Sequence, residues 1–117
     1  MASLFSRGSI IIVYLREPRE RIWGMMTELA PVGVSMRGLD LDCFDEWLRA
    51  VAGGEEDGIG ISSRFYPMAR IERILMDEPT GSAPSLDARC KERTGRGLRD
   101  HLADRAEAGG RCATGEA

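Results

Sequence analysis

Few side chains in this chain are suited to chemistry, and they are scattered. The single histidine, His101, sits between Asp100 and Leu102. No nucleophile and orienting acid stand near it in the pattern a triad needs, so it reads as a surface residue. Cys43, Cys90 and Cys112 are odd in number and far apart, without the paired spacings of zinc or redox motifs. Reduced thiols are the simplest assignment. Two acidic groups could in principle hold a hard cation: Asp40 and Asp42 with Asp45 and Glu46, and Glu55-Glu56-Asp57. Neither repeats the alternating ligands around a central glycine that define a calcium loop. Asp42 and Asp45 suit a helix start, where a carboxylate caps free N–H groups, and the second group suits a solvated loop. Gly58 and Gly60 precede Ile61-Ser62-Ser63 without the lysine or the following helix of a phosphate loop. The expectation is a protein that is not an enzyme, with no catalytic residue, cofactor or metal.

The arginines remain. Arg16, Arg19 and Arg21 cluster at one turn, while Arg64, Arg70 and Arg73 flank another. If the two turns meet they form a basic rim in which Tyr14 and Tyr66 could stack on the bases of single-stranded RNA. The candidate recognition surface is therefore Arg16, Arg19, Arg21, Arg64, Tyr66 and Arg70. Against it, Glu17, Glu20, Glu28 and Glu72 could pair with the same arginines, and the net charge of -3 gives the whole molecule no attraction for a phosphate backbone.

A length of 117 residues suits one domain, and 43% hydrophobic with 30% charged residues is enough to build a core. The longest apolar run, Ile10 to Leu15, is far shorter than the roughly 18 residues of a membrane helix. No signal peptide is evident at the N-terminus, so the expected location is cytoplasmic and away from membranes.

The elements that must position the rim follow from periodicity. Residues 9–15 are dense in β-branched side chains and end at Arg16-Glu17-Pro18-Arg19, giving a first strand. Arg21 to Leu29 alternates with Trp23, Met25, Thr27 and Leu29 on one side, and Gly24 within it predicts a bend. Ala30-Pro31-Val32-Gly33 is a turn, after which 34–39 completes a hairpin. Phe44, Trp47, Leu48 and Val51 then fall at helical spacing, predicting a helix from Asp42 to Ala52 stopped by Gly53-Gly54. They are taken as the helix face that covers the sheet. Ile59, Ile61, Ser63 and Phe65 alternate in a fourth strand that ends at Pro67. A tight turn at 68–70 leads to a last strand over 71–76, with a helix over 68–76 as the competing assignment. Ser85 is placed to cap a short helix to about Arg93, and a second runs from about Arg96 to Ala106.

The expected architecture is α+β: a strongly bent antiparallel sheet or small, partly open five-stranded barrel with one inserted helix and short C-terminal helices. Its parts are a barrel-like domain over 1–78, a linker with two short helices over 79–108, and a disordered tail over 109–117. Free strand edges, at Ile10 to Leu15 or Ile71 to Met76, would favour self-association.

Val13-Tyr14-Leu15, Arg21-Ile22-Trp23-Gly24-Met25, Val34-Ser35-Met36 and the stretch Arg64 to Ile71, taken in order, resemble the small β-barrels of the Sm-like class over about residues 9–76. The helix lies between the third and fourth strands instead of before the first. Glu28-Leu29-Ala30-Pro31-Val32 stands where that class carries its base-contacting residues. The resemblance thus implies barrel-like topology and ring formation more than RNA binding. The function expected is a small non-catalytic interaction module that forms homo-oligomers, with single-stranded RNA binding as the alternative.

Overall fold

The computed structural model describes residues 5–54 and 60–103. The proposed tail over 109–117, the end of the last helix and the acidic loop Glu55-Glu56-Asp57 lie outside these residues.

Five strands form one antiparallel sheet: β1 (Ile10–Leu15), β2 (Glu20–Ala30), β3 (Gly33–Asp40), β4 (Ser62–Pro67) and β5 (Ile71–Met76). Their order is β4-β3-β2-β1-β5, and the sheet is not closed. Helix α1 (Phe44–Ala52) follows β3 through a 3₁₀ turn at Leu41–Cys43, and α2 (Leu86–Thr94) follows β5. Residues 98–103 are helical as well. The fold is the expected open α+β arrangement.

Curvature is built into the middle of the sheet. Gly24 of β2 lies opposite Gly38 of β3, and a Cβ on Gly24 would overlap the Arg37 carbonyl and stand 2.6 Å from the Gly38 Cα. Only a glycine pair lets the two backbones approach this closely, which coils the strands. A register shift between Met26 and Glu28 adds to the bend and reverses the alternation of β2. Leu29 thereby faces Val34, while Glu28 faces Ser35, so the single regular alternation expected for Arg21 to Leu29 breaks at the bulge.

Strands β4 and β5 stand at opposite ends of the hydrogen-bonded order yet are joined by only the 3₁₀ turn Met68–Arg70. So short a link requires the sheet to curl until its ends are neighbours. Backbone bonds from Met68 N–H to the Val32 carbonyl and from Arg16 N–H to the Arg70 carbonyl tie this turn to both hairpin ends.

Each face of the curled sheet has its own core. Ile11, Val13, Leu15, Ile22, Met26, Val34, Met36 and Ile71 fill the concave side. On the convex side Ile10, Trp23 and Leu39 pack against Phe44, Trp47 and Leu48 of α1, and Cys90, Leu98 and Leu102 join them. The C-terminal helices therefore dock on the sheet. The aromatic side chains of α1 and β2 meet edge-on, with Trp23 and Phe44 centroids 5.0 Å apart.

Two local expectations change. Asp42 does not cap α1: the helix starts at Phe44 with Cys43 as N-cap, and the Asp42 carboxylate instead accepts from Arg21 at 3.3 Å. His101 is buried, not on the surface. Its ring packs on Trp47 at 5.5 Å between centroids, and its Nε2 is 2.9 Å from the Thr94 hydroxyl. Ser85 does cap α2, accepting from Ala88 N–H at 3.0 Å, and Gly95 closes it in the left-handed conformation. Burial pushes the Cys90 thiol up from its ordinary range, so this cysteine is held protonated inside the core.

Candidate sheet edges and arginine-bearing turns

The two arginine-bearing turns do meet. Arg70 lies against the β1–β2 turn, donating to the carbonyls of Arg16 at 2.9 Å and Pro18 at 3.1 Å and to the Glu20 carboxylate at 3.3 Å. Arg16 reciprocates by donating to the Ile71 carbonyl at 3.1 Å. Both guanidinium groups thus satisfy backbone acceptors that a turn leaves without strand partners.

Arg64 is engaged on the other side. Its guanidinium contacts the Ser62 hydroxyl at 2.9 Å, the Tyr66 hydroxyl at 3.1 Å and the Asp40 carboxylate at 3.4 Å. Burial works against its charge, yet the Tyr66 and Asp40 oxygens more than offset this and hold the guanidinium above its ordinary pKa. Arg21 pairs with Asp42 and Arg73 with the neighbouring Glu72. Arg19 has no partner among the described residues.

The two tyrosines part company. Tyr66 is opposite Val34 and packs on the concave core. Tyr14 alternates with Val13 and Leu15, which belong to that same core, so it projects from the convex side. There the Arg73 guanidinium lies 4.2 Å from its ring centroid. Tyr14, Arg19, Arg21 and Arg73 share a hollow of about 380 Å³ with the carboxylates Glu20, Asp42 and Glu72. Of the six residues picked out from sequence, Arg16 and Arg70 interlock, Arg19 and Arg21 border this mixed-charge hollow, and Arg64 with Tyr66 lies on the other face.

Arg70 therefore acts as a clamp on the turn. Arg70→Ala leaves the Arg16 and Pro18 carbonyls without their donor and is expected to cost about 1–2 kcal/mol, read by urea unfolding. Arg70→Lys recovers little of this, because a point ammonium cannot span both carbonyls as the planar fork does.

The edges are the other site-forming feature. β1 lies between β2 and β5, so the expected free edge at Ile10 to Leu15 is corrected. The run is apolar on both faces because both faces of a central strand are covered. The open edges are β4 and β5, and no described strand pairs with the outer side of either. Phe65 on β4 and Leu75 on β5 are 50% and 40% exposed, high for side chains of this size beside a core. Val32 and Met68, at the adjoining turns, are exposed too.

Among the described residues no cluster of three or more His, Cys, Asp or Glu side chains could hold a metal ion. None of the described helices is long and apolar enough to cross a membrane. The chain matches no protein-family model, no curated protein and no solved structure.

Proposed function

We propose that this protein is a small non-catalytic module that assembles with copies of itself through the two open edges of its sheet. The observation that carries this is the strand order β4-β3-β2-β1-β5, which leaves a row of backbone N–H and C=O groups at each end. Water can solvate such rows, but a second strand satisfies them together and covers the apolar side chains beside them. Phe65 and Leu75 supply that apolar surface, one on each edge.

The two edges differ in sequence, Ser62–Pro67 against Ile71–Met76, so pairing β4 of one copy with β5 of the next is head-to-tail. Contacts of that kind close into a ring when the rotation permits. The curl of the sheet and the short β4–β5 turn favour closure, and here the likeness to the Sm-like class adds support for a ring.

Light scattering across a dilution series tests the reading. The expected result is an oligomer at tens of micromolar, a range on the order of that in which modest interfaces hold. Leu75→Lys places a charge on the β5 edge and is expected to shift the mass to monomer without changing the far-ultraviolet circular dichroism. A monomer in the wild type at that concentration overturns the proposal.

A further inference from the structure

Along the convex face of β3 the side chains are Gly33, Ser35, Arg37 and Leu39, and only Leu39 belongs to the core packed under α1. The other three, with Ser63 and Phe65 of β4 opposite them, form a stretch of sheet on which none of the described helices packs. Arg37 is the anomaly. Its Nε is buried without a hydrogen-bond partner, and its guanidinium forms no ion pair among the described residues. Every arginine of the proposed rim except Arg19 finds an acceptor, so a half-buried guanidinium that finds none among the described residues calls for a physical reason.

Its surroundings supply one. Arg37 borders a hollow of about 380 Å³ with Thr27, Ser35, Ser63 and Phe65. The three hydroxyls have no hydrogen-bond partner among the described residues. Hydroxyl donors and a guanidinium without an ion pair among the described residues, lining one hollow, suit an oxyanion, since each can donate and the guanidinium brings charge.

Beside it is an aromatic platform. Phe65 is diagonal to Arg37 across the β3–β4 ladder, and its ring covers Gly33, where an added Cβ would stand 2.7 Å from the ring Cζ. The glycine lets the ring rest on the backbone, while half of the side chain stays open to solvent. Every base has a π-face, so an exposed ring on a sheet beside a phosphate donor accepts a nucleotide irrespective of its base.

We propose that the uncovered convex face of β3 and β4 binds a nucleotide unit of a single-stranded nucleic acid, with the phosphate on Arg37 and the base on Phe65. This site shares Phe65 with the β4 edge of the proposed assembly but otherwise uses side chains of the sheet face, Arg37 above all, and not the backbone groups of the edge. It also differs from the expected arginine and tyrosine rim, whose guanidinium groups are largely committed. Among the described residues Glu28, opposite Ser35, is a nearby carboxylate that opposes an anion there.

The test is fluorescence anisotropy of a labelled single-stranded oligouridylate against the full-length protein, titrated at several salt concentrations. Wild type is expected to bind at low salt. Arg37→Gln should weaken binding several-fold and lower the salt slope by about one. Phe65→Leu should weaken it about tenfold with the slope unchanged. Glu28→Gln should tighten it, while Arg93→Gln, on the exposed side of α2, should leave it unchanged. Light scattering on each variant separates lost assembly from lost binding. Heteronuclear spectra of the wild type, in which the Arg37 Nε–H and Phe65 ring signals should move on titration, keep the proposal falsifiable if a variant misfolds. No binding at low salt, or binding insensitive to both Arg37 and Phe65, overturns it. Uridine monophosphate binding as tightly as the oligomer overturns the assignment to a strand.

Discussion

Gly24→Val is expected to leave no folded protein at ambient temperature. The side chain would have to occupy space already held by backbone: the Arg37 carbonyl and the Gly38 Cα, the latter at 2.6 Å. A flexible neighbour could turn aside, but a backbone paired to β3 continuously from Ile22 to Met26 cannot move without breaking the β2–β3 ladder. The expected loss exceeds about 4 kcal/mol, comparable to the whole stability of many domains of this size. Circular dichroism and one-dimensional proton spectra would show it directly. Gly24→Ala meets the same clash, since it too adds the Cβ, and should fail in the same way. Gly54→Ala is the informative contrast: nothing lies within 4 Å of a Cβ there, and only its φ of +84° disfavours alanine. About 1 kcal/mol is expected at that site. A near-neutral Gly24→Ala would mean that the strands do not approach as closely as the coiled sheet requires.

Gly24 was legible in the sequence as a bend, because a glycine inside an alternating strand rarely has another purpose. Its partner Gly38 was not, because nothing in a linear pattern pairs one strand position with another. The same limit explains the edge assignment. Alternation locates strands but not their neighbours, although Ile10-Ile11-Ile12-Val13-Tyr14-Leu15 did carry a usable signal. A run apolar on both sides belongs to a strand covered on both faces, hence to the sheet interior, whereas Ser62-Ser63-Arg64-Phe65-Tyr66-Pro67 has the polar character of an edge. The candidate site was less readable. That the two arginine-bearing turns touch follows from the curl of the sheet, yet the acceptors that occupy Arg16 and Arg70 are backbone carbonyls, which carry no sequence signature. Tyr14 and Tyr66 parted because face is set by register, and register depends on the bulges between Met26 and Glu28 and between Tyr14 and Leu15. His101 looked like a surface residue because its only linear neighbours are Asp100 and Leu102. Its burial comes from Trp47, 54 residues earlier in the chain.

Asp77→Ala is the second substitution expected to have a large effect, about 2–4 kcal/mol, because one carboxylate there joins the sheet to the C-terminal helices. Asp77 follows directly on β5 and accepts from the Trp23 indole N–H at 3.1 Å. It also accepts from the backbone N–H groups of Leu86 and Asp87 at 2.8 Å each, which are free donors in the first turn of α2. Trp23 is fully buried, so alanine at 77 strands its indole N–H away from water, and two helix N-terminal donors lose their acceptor as well. The consequences should be uneven in space. α2 holds to the core over the sheet through Cys90, Leu86 and this carboxylate, so its amides should exchange with solvent much faster while those of β1 to β3 change little. Tryptophan fluorescence should shift to the red as the Trp23 pocket opens. Asp77→Asn keeps one oxygen acceptor, which at the Oδ2 position can serve Trp23 and Asp87, but its amide N–H groups then face the Leu86 donor, so it should recover only part of the loss. If Asp77→Ala instead unfolds in one transition with every amide equally affected, α2 is an inseparable part of a single core. The division between a barrel-like domain over 1–78 and appended helices would then have no thermodynamic meaning. If α2 opens first, the convex face above Trp23 is exposed while the curled sheet and both of its edges survive, so the edge-to-edge assembly we propose should be unaffected in the variant.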